Sequence, residues 1–290
     1  HCLSSAASDV YKRQISDSKV KEKIVLKNLH ISPGWFDSSV CFGEPGLEER
    51  ETLSNGSKAA AFSGFTDVVL NPETSPYLDT KADIIYVKSQ KLPVNIHPLG
   101  CLTKEAKSKE LADLYEMYES GAVGFYDFKK PLLNPNLLKI ALQYVQNFDG
   151  LILSFPFEKS LCPDGQMHEG TVSTNYGLKG ISSLSEELML KRDLKILEYT
   201  GGKIHIPCIS TEESVKLIKE AKNNKLNVSC SVSINNLFFN DEKLKDFDTR
   251  FKVMPPIRDK RHQKALVKGV SDGTIDFVTS DHSPIDLSLI

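Results

Sequence analysis

Pro33-Gly34-Trp35-Phe36-Asp37-Ser38-Ser39-Val40-Cys41-Phe42-Gly43-Glu44-Pro45-Gly46 runs from an apolar, alternating segment to a polar tip and stops at a Gly-Glu-Pro-Gly turn. Alternation of this kind predicts a strand. In a barrel of parallel strands, catalytic groups stand where such a strand ends. Side chains two residues apart share a face of a strand. A metallohydrolase would place two imidazoles on that face, and this chain carries Ser39 and Cys41.

Outward from that stretch, helices and short apolar strands alternate. A helix over Glu48 to Ser63 leads to a strand over Phe65 to Leu70, and a helix over Thr80 to Lys91 leads to a strand over Val94 to Leu102. A helix over Lys109 to Ser120 precedes the fourth strand, Gly121 to Tyr126, and a helix over Asn134 to Phe148 precedes the fifth, Gly150 to Phe155. After a long Gly-containing loop come a helix over Leu184 to Tyr199 and the sixth strand, Lys203 to Cys208. Thr211 is placed to cap a helix reaching Asn223, with Glu212 and Glu213 favourable in its first turn. Leu226 to Val232 is the seventh strand, Pro255-Pro256 marks a loop, and a helix over Lys260 to Asp272 precedes the eighth strand, Ile275 to Ser280.

Continuous apolar strands separated by helices argue for a parallel sheet covered on both faces. Eight such units in about 250 residues predict an α/β fold of the TIM (β/α)8 type. The competing architecture, a doubly wound open sheet, gains nothing from glycine fingerprints, because none follows a strand. Residues 1–14 match no pattern in the rest of the chain and read as a non-native leader. Residues 15–32, with a short strand over Ile24 to His30, read as the remnant of an N-terminal β segment and linker. The barrel is expected over 33–290, without its final helix and truncated at both ends.

The chain is 40% apolar and 26% charged with net charge −2, which favours neither nucleic acid nor an anionic membrane. Lys129-Lys130 is too short for a basic patch and reads as a solvated loop. No apolar stretch approaches the roughly 20 residues of a membrane span. The six cysteines are scattered without a Cys-x-x-Cys pair, as in reduced proteins of the cytoplasm.

The strand ends offer Asp37, Ser39 and Cys41, then Glu73, His97, Asp127, Phe155, His205 with Cys208, Asn235 with Asn236, and Asp281 with His282. Six motifs carry a resemblance: Pro33-Gly34-Trp35-Phe36-Asp37, Glu44-Pro45-Gly46, Gly121 through Asp127, His205-Ile206-Pro207-Cys208-Ile209-Ser210-Thr211, Pro255-Pro256-Ile257-Arg258, and Thr279-Ser280-Asp281-His282-Ser283-Pro284. In order and spacing the chain resembles dihydroorotase, of the amidohydrolase superfamily, over roughly residues 25 to 290.

The resemblance implies a barrel of the metallo-dependent hydrolase type acting in pyrimidine biosynthesis. It also implies zinc, held by a His-x-His pair on the first strand, an acidic group on the fourth and single histidines on the fifth and sixth. An aspartate on the eighth would bind metal and shuttle the proton, while the metal lowers the pKa of the attacking water. Carried over, the first-strand pair falls on Ser39 and Cys41, the fifth-strand histidine on Phe155 and the sixth-strand histidine on Cys208. Only Asp127 and Asp281 survive, with Asp281 at the catalytic position. Of the substrate positions, the expected arginine falls on Gly43, an asparagine on Glu73 and a histidine on Ile285, while His282 is kept. Glu73 is expected to repel an anionic substrate.

Joint loss of ligands and substrate clamps points to a catalytically inactive relative without a cofactor. Inactive dihydroorotase homologues of this kind assemble with aspartate carbamoyltransferase, so the resemblance implies that partner and an oligomer. Three other readings stay open. Cys41, Cys208, Asp127 and Asp281 offer a replacement zinc set for an active cyclic-amide hydrolase, since thiolates and carboxylates both ligate zinc. Cys208 with His205 or His282 is formally a nucleophile pair. The old cavity could also serve a non-catalytic small-molecule sensor. Against these stand plainer roles: buried Cys as apolar filler, His97, His205 and His282 as packed or hydrogen-bonded groups, and Phe155 filling the metal's volume.

Overall fold

The computed structural model describes residues 32–285, with 27 and 30. The leader over 1–14 lies outside the described residues, as does most of the expected strand over Ile24 to His30. The compact unit begins at Phe36, one residue into the first strand.

That strand, β1 (Trp35–Val40), is followed by α1 (Leu53–Phe62), β2 (Phe65–Leu70), α2 (Lys81–Ser89) and β3 (Asn95–Pro98). Then come α3 (Leu114–Glu119), α4 (Pro135–Val145), β4 (Ile152–Leu153), β5 (Met167–His168), α5 (Thr171–Tyr176) and β6 (Gly180–Ile181). The rest is α6 (Ser183–Thr200), β7 (Ile204–Ile206), α7 (Glu212–Asn223), β8 (Val228–Ser233), α8 (Ile234–Phe238), α9 (Lys260–Ser271) and β9 (Phe277–Thr279).

Two sheets and three bridges make a closed ring. One sheet has the order β1-β2-β3 and the other β4-β7-β8-β9. Phe125 joins them as the fourth station, bridging in parallel to Gly100 on one side and Ile152 on the other. A parallel bridge from Val40 to His282, with the Cys41 amide donating to the His282 carbonyl at 2.7 Å, closes β9 onto β1. This is the TIM barrel, and the open doubly wound sheet is excluded because no edge remains at either end.

The caps explain where helices start. Thr211 Oγ1 accepts from the Ser214 amide at 3.0 Å, as its position predicts. Asn134 caps α4 with Pro135 in the first turn, and Asp259 Oδ1 caps α9 through the Arg261 and His262 amides. Two helices are shorter than the sequence predicts. Glu51 pairs with Gly43, so α1 begins only after its Thr52 cap. Thr103 pairs antiparallel with Leu111, which diverts residues before 114 into a loop and leaves α3 six residues long. The long loop after β4 contains the parallel pair β5–β6 with α5 between them, which periodicity does not reveal because both strands have only two residues.

The core lies between strands and helices, where Leu70, Leu114, Phe125, Leu138 and Leu142 are fully buried. Gly56 in α1 is required by close approach: a Cβ there would lie 2.3 Å from the ring of Phe42, itself 2% exposed. Helix propensity favours Ala over Gly by about 1 kcal/mol, but overpacking a buried ring costs about 1–3 kcal/mol. Gly56→Ala should therefore lower the melting temperature despite the better helix former, and a higher melting temperature would refute this packing argument.

Candidate functional site at the barrel mouth

Asp37 anchors the site from below. Its carboxylate accepts from the Ser39 amide at 3.1 Å, from the Thr279 hydroxyl, and from the Ser280 amide at 3.2 Å. It therefore stitches β1 to β9 and is not a free group at the mouth. Ser39 is held as well, because Asn71 Nδ2 donates to its Oγ at 3.0 Å and to the Val40 carbonyl at 3.2 Å.

Above this, the mouth is filled. Cys41, Tyr126, Phe128, Leu153 and Phe155 form one buried apolar cluster, with Phe155 only 3% exposed. Burial pushes the thiols of Cys41 and Cys208 well above the usual cysteine range, so both stay protonated. The five described cysteines, all buried, are free thiols.

The two surviving carboxylates face different surroundings and do not oppose each other. Asp127 Oδ1 accepts from the Leu102 and Thr103 amides at 2.9 and 3.0 Å, and Oδ2 accepts from the Thr103 hydroxyl. Burial still raises its pKa. Asp281 meets Lys129, whose Nζ lies 2.8 Å from its Oδ2. Burial works against charge on the lysine, but Asp281, through its charge and its hydrogen bond, favours it, and the Lys129 pKa lies above the usual value. Burial likewise raises Asp281, with Lys129 pulling it back.

Lys129-Lys130 is thus no solvated loop. Lys129 has φ 52, a left-handed backbone that turns its side chain inward. Lys130 Nζ donates to the Tyr77 hydroxyl at 2.7 Å. Cys208 and Asp281 share the left-handed region with φ 53 and 54. Such conformations cost non-glycine residues of order 1–3 kcal/mol and cluster at functional sites.

The remaining positions are also occupied. Glu73 is paired with Arg50 at 3.4 Å, which weakens the repulsion expected of it. His282 Nε2 lies 2.6 Å from Glu51 Oε2, so that base is turned away from Cys208. Gly43 bridges to Glu51 and Ile285 is half exposed. His205 is not at the mouth. It belongs to the amino-terminal half of the barrel, its two nitrogens 2.8 and 3.1 Å from the hydroxyls of Ser229 and Ser231, and it makes no base for Cys208. With His97, Phe36 and Phe277 it lines a cavity of about 380 Å³. His97 is structural, bound to Asp67 at 2.9 Å.

These residues do not fit a zinc pair. Phe155 has no donor atom, Asp127 spends both oxygens on hydrogen bonds, and Asp281 already has a cation. Among the described residues the one group of three whose ligand atoms lie within 4.8 Å of one another is His168, Asp259 and His262. There the Nδ1 atoms accept from Arg258 Nη1 at 3.3 Å and the Glu212 amide at 2.9 Å. Since guanidinium and amide can only donate, each Nδ1 lone pair is already taken, which leaves His168 with its proton on Nε2, and the Nε2 of His262 faces a further donor, Arg261 Nη2 at 3.2 Å.

The sequence profile of the Dihydro-orotase-like family matches residues 29–214. The chain belongs to the dihydroorotase family. It is 42% identical over 256 residues to a dihydroorotase of Pelotomaculum thermopropionicum, covering 88% of this chain and 60% of that protein. A Geobacter dihydroorotase is 38% identical over 260 residues, covering 88% and 61%. The chain thus spans about three fifths of the length of these curated relatives. Among solved structures, the L-hydantoinase (dihydropyrimidinase) of Arthrobacter aurescens superposes with TM-score 0.75 at 20% identity, covering 88% of this chain and 59% of that one. That likeness speaks for the barrel fold alone. Sequence reading missed Lys129, Arg50 and Glu51. Only Lys129 left a signal: it follows Asp127 by two residues, and Asp281 needs a cation once metal ligands are gone.

Proposed function

We propose that this chain is a dihydroorotase-like barrel of pyrimidine biosynthesis that has lost catalysis and works as a structural or regulatory partner of aspartate carbamoyltransferase. The observation that carries the non-catalytic reading is the Lys129–Asp281 ion pair across the mouth, at 2.8 Å. The proton-shuttling position is bound to an ammonium, and Phe155 is buried in the apolar cluster with Cys41 and Tyr126. The partner rests on the resemblance to inactive dihydroorotase homologues. Among the described residues no helix is long and apolar enough to cross a membrane. A cytoplasmic location belongs to the same proposal and rests on the scattered, unpaired cysteines.

Purified protein is expected to hydrolyse dihydroorotate no faster than buffer at any zinc concentration. Turnover with zinc at one per chain would end the non-catalytic reading. For the partnership, sedimentation with aspartate carbamoyltransferase from the same source should give a joint boundary, and separate boundaries would dismiss it. One atom favours the alternative, a hydrolase with replacement ligands: the buried Oδ1 of Asp281 makes no hydrogen bond of ordinary geometry. Metal analysis after zinc- or manganese-supplemented expression separates the two readings, since a metal-free product removes the alternative.

A further inference from the structure

Asp281 and Lys129 are 152 positions apart and come from the eighth and fourth strand ends. The Asp281 side chain is 6% exposed and that of Lys129 22%. A carboxylate buried this deeply needs hydrogen bonds or a cation close by, because an unpaired buried charge is far more costly than a paired one, and Oδ1 of Asp281 makes no hydrogen bond of ordinary geometry. In a metallohydrolase barrel that cation is the metal. Here the chain supplies one covalently attached.

The lysine is aimed by its own backbone. Its amide donates to the Tyr126 hydroxyl at 3.1 Å, its φ is 52, and its ammonium sits 5.0 Å over the Phe128 ring. From the other side, the Asp281 amide donates to Thr279 Oγ1 at 3.3 Å, and that hydroxyl is bound in turn to Asp37. Both partners are therefore fixed before they meet, so little side-chain freedom is lost on pairing. The field of the same ammonium reaches Cys41 and Cys208, two other former ligand positions. A tethered charge at that point repels a divalent ion and occupies the oxygen such an ion would take.

We propose that the Lys129 ammonium is this chain's own replacement for a divalent metal, tying the fourth and eighth strand ends of the barrel together through Asp281. This deepens the non-catalytic reading and rests on it. The test is a double-mutant cycle on the full chain, unfolded in urea at neutral pH, with Lys129→Met, Asp281→Asn and both. Each single variant should lose stability. The double should lose less than the sum, by a coupling of about tenfold or more in the unfolding equilibrium constant. Lys129→Arg keeps a cation and should stay close to wild type, and it remains informative if Lys129→Met fails to fold. Equimolar zinc should leave the wild-type melting temperature unchanged. Additive single losses, a Lys129→Arg as damaged as Lys129→Met, or a zinc-induced rise abolished by Asp281→Asn would each overturn the proposal. Dihydroorotate turnover judges the non-catalytic reading separately, so a failure of the ion-pair proposal is distinguishable from a failure of that reading.

Discussion

Glu186→Ala should cost about 3–5 kcal/mol of unfolding free energy, the loss expected when one partner of a buried charged network is removed. Glu186 is 3% exposed, at the start of α6. Its carboxylate accepts from the Ser210 and Thr211 amides at 2.9 and 3.2 Å, from Ser214 Oγ at 2.6 Å, and from the Ser210 hydroxyl. Arg258, also 3% exposed, stands 3.8 Å away and donates to the Ile181 carbonyl at 2.6 Å and to Ser210 Oγ at 3.0 Å. One carboxylate thus gathers the loop after β7, the first turn of α7, the strand β6 and the loop carrying Pro255-Pro256. Truncation leaves two buried amides without their acceptor and a buried guanidinium without its counter-charge. The cavity is small, so the unsatisfied groups dominate the cost. Glu186→Gln keeps an acceptor oxygen and should lose clearly less. Urea unfolding of both variants checks this, and an alanine variant within 1 kcal/mol of wild type, roughly the worth of one hydrogen bond, would refute it.

The same region shows what the sequence can and cannot declare. Apolar runs such as Phe65 to Leu70 and caps such as Thr211 depend on neighbours within a few positions, so the barrel was legible. Strand lengths were not. Val94 to Leu102 and Gly150 to Phe155 are largely apolar, yet only Asn95–Pro98 and Ile152–Leu153 pair as strands, because pairing depends on the neighbouring station. At the mouth, Phe155, Cys41 and Cys208 were legible by composition: a residue without a donor atom, or with a buried thiol, reads the same in any register. Lys129 was not, because its role depends on a positive φ and on a carboxylate 152 positions away. His205 was misplaced by one structural step. Assigning it to the carboxyl end of its strand ignored that the register pairs it with Ser229, near the start of β8.

That placement leads to the second large effect, acid sensitivity. Burial lowers the pKa of His205 and of His168 from 6.5 to about 4. Arg258 adds to the lowering at His168, and both rings are 5% exposed. The folded state thus favours neutral imidazole, while the unfolded chain takes up protons near the ordinary value. Between pH 6.5 and 4 the unfolded state binds more protons, so stability is fully present above pH 6.5 and is lost as pH falls towards 4. A shift of this size corresponds to about 3 kcal/mol per histidine. Asp127, Asp193 and Asp281 act in the opposite sense, since burial raises their carboxyl pKa values and their protonation favours the fold as pH drops. The net slope is therefore smaller than two histidines alone would give, and a difference measurement isolates the imidazole. His205→Gln removes one titrating group and leaves the carboxylates in place. Urea unfolding from about pH 7 to 4.5 should show the slope of stability against pH falling by about 1 kcal/mol per pH unit near pH 5 relative to wild type. An unchanged slope would mean that His205 is already protonated in the fold, which its two serine partners and apolar surroundings argue against.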